Sequence, residues 1–124
     1  MRAFKIISIS LGVIVLLLYG AGYYFLSGIC ANTVITSSAS PSGKWKAILF
    51  ERNCGATTGF SSQISLLKSD SELNNEAGNI YIAKGYPKGY NINWKSDDSV
   101  TISGTSADSI KKIARFNDIQ ITYK

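Results

Sequence analysis

Histidine is absent from this chain, and its absence removes several kinds of active site at once. Neither a Cys-His pair nor a Ser-His-Asp triad is available, and no metal site can use an imidazole ligand. Cysteine is scarce too: Cys30 and Cys54 lie too far apart in sequence for a zinc knuckle or a Cys-x-x-Cys redox pair. We therefore expect no catalytic constellation, no metal site and no cofactor, and predict that the chain is not an enzyme.

Basic residues are missing between Lys5 and Lys44, and beyond Lys44 they are scattered. The net charge is +5, from 13 basic and 8 acidic residues. Nucleic-acid binding depends on clustered cations that release many counterions together, so we predict no nucleic-acid partner. The polar segment from Asp70 to Gly78 lacks the alternating oxygen ligands, the central Gly and the closing Glu of a calcium loop.

One long apolar run, residues 6–26, contains no charged side chain. At about 1.5 Å per residue, a helix over this run measures about 31 Å, which matches a bilayer core of about 30 Å. We therefore predict a transmembrane helix that acts as a signal anchor, with membrane lipid as its partner. Arg2 and Lys5 precede the run, so the positive-inside rule keeps residues 1–5 in the cytoplasm. The rest of the chain is then periplasmic or extracellular, on the outer side of the cytoplasmic membrane.

Other fates of the N-terminal segment stay open. Gly20-Ala21-Gly22 resembles a cleavage site, and cleavage there would release a secreted domain. Acylation of Cys30 is a further alternative, although Ile29 is larger than the residue that normally precedes such a cysteine. Gly20 and Gly22 are also small enough for close contact between two copies of the span.

After a short tether at residues 27–32, residues 33–124 provide one small domain. Apolar and polar residues alternate there in short runs that Gly, Pro, Ser, Asn and Asp separate. We predict a mainly β fold, a small antiparallel sheet or sandwich with at most one short helix near residues 106–114. Lys44–Arg52 is apolar on both faces, which favours a central strand. The predicted strands are Thr33–Ser38, Lys44–Arg52, Ser62–Lys68, Ile80–Lys84, Tyr90–Lys95, Val100–Ser103 and Ile119–Tyr123.

Cys30 and Cys54 are predicted to form a disulfide bond. A domain outside the membrane meets an oxidising compartment, where two cysteines in a small domain usually pair. In the chain-entropy model, closing this loop stabilises the fold by roughly 3 kcal/mol. The bridge would hold the loop around Cys54 near the point where the chain leaves the membrane.

Residues 30–68 carry a family likeness. An early Cys30 is followed by Ser40-Pro41-Ser42-Gly43-Lys44 at the start of a strand, then by Cys54-Gly55-Ala56-Thr57-Thr58 and the strand Ile64-Ser65-Leu66-Leu67. This order resembles a family of small bacterial membrane-anchored or exported proteins of unknown function. The resemblance implies a small exported domain and brings no activity with it.

Two loops form the expected binding surface, Arg52 to Phe60 and Gly85 to Tyr90. The first is rich in small and hydroxyl residues, and the second in Gly and Tyr. Such loops favour a non-enzymatic binding or accessory module, for example an immunity or inhibitor protein, that recognises an unknown envelope protein or an exported ligand. The candidate residues are Arg52, Asn53, Gly55, Thr57, Thr58, Phe60, Tyr86 and Tyr90.

Two other uses of the first loop stay open. Backbone N–H groups of residues 55–59 could cradle an anion beside Arg52, although the loop lacks the Gly-Lys-Ser/Thr ending of a phosphate-binding loop. Alternatively the chain is a small envelope thiol protein or enzyme that uses Cys54, with Arg52 and the neighbouring backbone amides lowering the pKa of the thiol.

Overall fold

The computed structural model describes residues 1–27, 30–55 and 59–124. Its single described helix, α1, covers Arg2–Ser27. The stretch Arg2–Tyr23 is long and apolar enough to cross a bilayer, and its large apolar side chains are exposed. A membrane anchor and a signal sequence both have these properties.

Nine strands follow α1 in the described ranges and form two sheets. Sheet A has the order β1-β2-β3-β4-β7, with every neighbouring pair antiparallel. Sheet B has the order β5-β6-β9-β8, and β6 and β9 run parallel. The strands are β1 (Ala31–Ala39), β2 (Trp45–Asn53), β3 (Phe60–Lys68), β4 (Tyr81–Lys84), β5 (Asn91–Ser96), β6 (Ser99–Ser103), β7 (Ser109–Lys112), β8 (Arg115–Phe116) and β9 (Ile119–Tyr123).

The predicted mainly β fold is confirmed, and each predicted strand is present with shifts of a few residues at its ends. β2 lies between β1 and β3, which confirms a central position for Lys44–Arg52. The helical turns considered for residues 106–114 are wrong, because β7 occupies Ser109–Lys112 and pairs with β4. Ile110 is exposed rather than packed on the sheet. The open edge of β4 supplies hydrogen bonds that the local helix signals could not reveal.

The two sheets pack face to face around one hydrophobic core. Alternate residues of the central strands point inwards, so sheet A supplies side chains such as Leu49, Ile64 and Tyr81, and sheet B supplies Val100 and Ile121. These side chains are almost completely buried. The period-two pattern of the sequence therefore translates directly into a β-sandwich.

The outer face of sheet A is covered as well. Ile48 and Phe50 are buried although they point away from the sandwich core. The segment Asp70–Asn79 crosses this face and is held by side chains of β3. Gln63 Oε1 accepts a hydrogen bond from Gly78 N–H at 2.6 Å, and the Asn79 side chain bonds both backbone groups of Leu66 at 2.8 Å. We call this segment the strap.

Gly78 is the residue that lets the strap lie so close to sheet A. A Cβ at this position would lie 2.7 Å from the carbonyl oxygen of Tyr81 and 2.8 Å from that of Ile64. Both distances are too short for a carbon atom, and both oxygens belong to backbone that the sheet fixes. Any larger residue must therefore push the strap off the sheet.

Strand register fixes which loops share an end of the sandwich. Ala31 pairs with Asn53, Asn53 with Phe60, and Ser61 with Lys84. In sheet B, Asn91 pairs with Ser103. One end of the sandwich therefore carries the start of β1, both predicted binding loops and the chain after β6. We call it the disulfide end. The opposite end carries the turns at residues 40–44, 96–99 and 117–118.

Candidate functional site

A disulfide bond joins Cys30 to Cys54, as predicted. The two cysteines directly precede and follow the paired residues Ala31 and Asn53, and their Cα atoms are 3.9 Å apart. The bridge thus adds one covalent rung to the β1–β2 ladder. Neither cysteine of the chain is a free thiol.

A polar cluster surrounds the bridge. Arg52 Nη1 donates to Asn32 Oδ1 at 2.8 Å and to Asn75 Oδ1 at 3.0 Å. Asn75 in turn donates to the carbonyl oxygen of Cys30 at 2.7 Å, and Asn32 donates to the carbonyl oxygens of Asn74 and Glu76. The guanidinium group of Arg52 therefore ties the strap to the disulfide end instead of pointing into solvent.

The first predicted loop is described only at its ends. Asn53 Oδ1 accepts a hydrogen bond from Gly55 N–H at 3.0 Å, which turns the chain just after Cys54. Thr57 and Thr58, two of the candidate binding residues, lie outside the described residues, and so does most of the considered anion cradle. Arg52, the charge assigned to that cradle, is committed to Asn32 and Asn75.

The end of the first loop meets the second loop through two aromatic rings. Phe60 and Tyr86 stack with their ring centroids 4.3 Å apart. Tyr86 remains 55% exposed, so its ring is presented at the tip of the disulfide end. Lys84 and Lys88 flank it in sequence, and both side chains are exposed.

Tyr90 is separated from this pair and belongs to a tyrosine cluster inside the sandwich. Its hydroxyl lies 3.0 Å from that of buried Tyr81, which also accepts a hydrogen bond from Ser106 N–H at 3.0 Å. Burial, and then the bond with Tyr81, raise the pKa of Tyr90 to about 12. Burial likewise raises the pKa of Tyr123 to about 12. Tyr123 donates to backbone carbonyls of Ile80 and Ile113, which links β9 to sheet A.

Close backbone packing fixes the second loop against the chain after β6. A Cβ on Gly104, which has a φ of 81°, would clash with the carbonyl oxygen of Gly89. Glycine is required there for both conformation and space. The loop that carries Tyr86 and Tyr90 is therefore held against the chain after β6 by close backbone contact.

A groove runs along the flank of the sandwich, between the two edge strands β1 and β5. Its volume is about 440 Å³, and none of its lining residues is charged. Trp94 Nε1 donates to the carbonyl oxygen of Ser38 at 3.0 Å and closes the groove towards the opposite end. The lining residues are Ile35, Thr36, Ser37, Ser38, Leu49, Pro87, Gly89, Tyr90, Asn91 and Ile92.

A β-bulge supplies one wall of the groove. The register of β1 shifts between Val34 and Thr36, so Ile35 is an extra residue in the strand. Bulges re-aim side chains, and Ile35 is 48% exposed although it is aliphatic. Neither Ile35 nor the groove was predicted, because the bulge depends on how β1 pairs with β2.

Asp97 has a structural role. Asp97 Oδ1 accepts a hydrogen bond from Ser42 N–H at 3.0 Å, which joins the turns of the two sheets at the opposite end. Hydrogen bonding by Ser42, through its side chain and then its backbone, lowers the pKa of Asp97. Over the described ranges, no three His, Cys, Asp or Glu residues come together in a way that could hold a metal ion.

Comparison with known proteins identifies the family. The sequence model of the family of unknown function DUF5412 matches residues 1–116. The chain belongs to the DUF5412 family. The DUF5412 match includes α1, both cysteines and the strands from β1 to β8. It therefore confirms the resemblance to a family of unknown function. No curated protein and no solved structure matches the chain.

For this DUF5412 member, the candidate residues fall into separate groups. Phe60 and Tyr86 form one exposed pair, Tyr90 lines the groove, and Arg52 belongs to the polar cluster at the bridge. Asn53 and Gly55 shape the turn beside Cys54. The geometry thus offers two distinct surfaces, the groove and the tip of the disulfide end.

Proposed function

We propose that the chain is a non-enzymatic binding module that α1 holds in the cytoplasmic membrane, with its β-domain outside. The groove takes an extended segment of another envelope protein, and an immunity or inhibitor role is one form of this function. The groove between two edge strands is the observation that supports this proposal most directly.

Three properties of the groove favour a polypeptide ligand. β1 and β5 are the outermost strands of their sheets, so their outer backbone groups are not paired with a strand in the described part of the chain. An extended segment offers the matching N–H and C=O groups. The volume lies within the range of about 300–1,000 Å³ that is usual for ligand sites. The uncharged lining of aliphatic and hydroxyl groups suits a neutral stretch of chain.

Site-specific photocrosslinking in intact cells tests this function. A photoreactive residue at Thr36 lies in the groove, and one at Thr122 is exposed on β9, away from it. We expect one envelope protein to be captured from position 36 and not from position 122. Mass spectrometry of the adduct identifies the partner and the crosslinked segment.

A matched pair of variants makes the test specific. Thr36→Arg places a charge in the uncharged groove and should abolish capture from a second photoreactive position in the groove at Asn91. Thr122→Arg adds the same charge elsewhere and should leave capture unchanged. Equal capture by both variants, or equal crosslinking from positions 36 and 122, would overturn the assignment of the groove.

Membrane retention is a separate part of the proposal. We expect the full-length mass in the membrane fraction after alkaline carbonate extraction. A soluble and shortened product would show that α1 is a cleaved signal sequence.

The alternative function, a thiol protein or enzyme using Cys54, requires a free thiol. Alkylation of both cysteines in protein taken from its native compartment would favour that alternative.

A further inference from the structure

We propose that the tip of the disulfide end, formed by Lys84, Tyr86 and Lys88 with the stacked Phe60, rests on anionic lipid headgroups. This inference deepens the proposed function, since it rests on α1 remaining in the membrane. It assigns the Phe60–Tyr86 pair to the bilayer surface and leaves the groove on the flank free for a protein ligand.

Chain length places this end close to the bilayer. The candidate span ends at Tyr23, α1 continues to Ser27, and Cys30 follows three residues later. Four helical residues cover about 6 Å and three extended ones at most about 11 Å. The bridge to Cys54 therefore lies within about 17 Å of the hydrocarbon edge, of which headgroups occupy about 5–8 Å. The disulfide end is therefore the end of the domain that faces the bilayer.

Strand register gathers cations at this end although they are scattered in sequence. Lys84 ends β4 and Lys88 lies in the loop that follows, and no acid is present from Lys84 to Asn91. Lys124 also lies here, since its N–H donates to Ile102 and its carbonyl oxygen accepts from Thr105. The acids at this end are Asp108, just before β7, Glu51 in β2 and Glu76 in the strap.

The opposite end has a different charge balance. Its five basic residues, Lys44, Lys46, Lys68, Lys95 and Arg115, are matched by five acidic ones, Asp70, Glu72, Asp97, Asp98 and Asp118. The disulfide end has four basic residues, Arg52, Lys84, Lys88 and Lys124, against three acidic ones, Glu51, Glu76 and Asp108, and its loop from Lys84 to Asn91 contains no acid. An anionic surface therefore attracts the disulfide end more strongly than the opposite end.

Tyr86 supplies the contact that charge alone does not. It is 55% exposed, and its ring stacks on Phe60, which limits the orientations that the ring can take. Tyrosine is enriched at the level of the headgroups because its ring is apolar and its hydroxyl is polar. An exposed tyrosine ring between two lysines therefore suits an anionic lipid surface.

Hydrogen–deuterium exchange of the full chain in lipid nanodiscs tests this inference. One set of discs contains only zwitterionic phosphatidylcholine, and the other contains about one-third anionic phosphatidylglycerol. A lysine near an anionic surface gains roughly fivefold in association, so we expect the amides of residues 84–86 and 88–90 to exchange at least about fivefold more slowly in the anionic discs. The turn at residues 96–99 should exchange equally in both.

Matched charge variants complete the test. Lys84→Gln/Lys88→Gln should remove the difference between the two discs, whereas Lys68→Gln/Lys95→Gln at the opposite end should preserve it. All four side chains are exposed, so folding should survive, and exchange at buried Tyr81 checks this. Equal exchange of residues 84–90 in both discs, or equal loss with both pairs of variants, would overturn the proposal. If the chain leaves the membrane in cells, the proposed function fails instead, and the extraction experiment shows that separately.

Discussion

Replacing either cysteine should destabilise the β-domain by the same amount, because each substitution removes the whole bridge. Cys30 and Cys54 are separated by 24 positions in sequence. In the chain-entropy model, a closed loop of this size destabilises the unfolded chain by roughly 3 kcal/mol at 25 °C. That is a large share of the roughly 5–15 kcal/mol that stabilises an entire domain.

Tryptophan fluorescence can measure this loss in the full chain. Trp45 and Trp94, the two tryptophans of the sequence, lie in β2 and β5, and α1 contains none. Their emission therefore reports unfolding of the β-domain without a contribution from the helix. In detergent micelles, with a urea m-value of about 1.5 kcal/mol/M, Cys30→Ser and Cys54→Ser should each lower the urea midpoint by about 2 M.

The double variant is the decisive comparison. A bridge can be removed only once, so Cys30→Ser/Cys54→Ser should unfold at the midpoint of either single variant. Reducing agent should shift the wild-type chain to that midpoint and leave the double variant unchanged. If the single variants differed by more than about 1 kcal/mol, or if their losses added in the double variant, the two sulfur atoms would have separate roles and the reasoning would be wrong.

Three further predictions use the same fluorescence assay. Gly78→Ala should destabilise the domain by about 1–3 kcal/mol because the added methyl group meets two carbonyl oxygens. Gly12→Ala in α1 is the control and should leave the urea midpoint unchanged. Equal midpoints for the two variants would disprove the close fit of the strap. Tyr81→Phe should reduce stability by about 1–3 kcal/mol, since a partly buried N–H loses its acceptor; an unchanged midpoint would mean that water replaces the hydroxyl. The pKa of Tyr90 and of Tyr123 is near 10 in the unfolded chain and about 12 in the folded chain. The free energy of unfolding should therefore be constant below pH 10 and decline between pH 10 and 12, and phenolate absorbance can follow the ionisation. Constant stability across that window would contradict the burial of the two hydroxyls.

Local pattern was sufficient for the longer strands. Ile64 and Leu66 in β3 alternate with polar residues, and one-face burial produces that alternation directly. β8 contains only Arg115 and Phe116 and is too short to show a period, whereas Ile110 in β7 and Ile113 after it are three residues apart, which is a helical spacing. The place of both strands is decided by strands far away in sequence, chiefly β4 and β9.

Contacts of polar side chains were beyond prediction for a related reason. The segment from Asp70 to Gly78 has the composition of a solvated loop, yet the amides of Asn75 and Asn79 fix it on sheet A. An amide can bond any backbone group within reach, so its partner depends on the assembled fold. The cations Lys84 and Lys124 were likewise scattered in sequence, and only the strand register brings them to one end.

The position of β9 has a consequence for the order in which the domain forms. The β1–β2 hairpin is complete once residue 53 has been synthesised, and the bridge needs only one residue more. Sheet B lacks its second inner strand until residues 119–123 arrive, because β9 inserts between β6 and β8. Long-range insertion of this kind is slow compared with hairpin formation. The disulfide-bridged hairpin can therefore form well before sheet B closes the hydrophobic core, and the apolar side chains on the inner face of sheet A stay exposed in that interval.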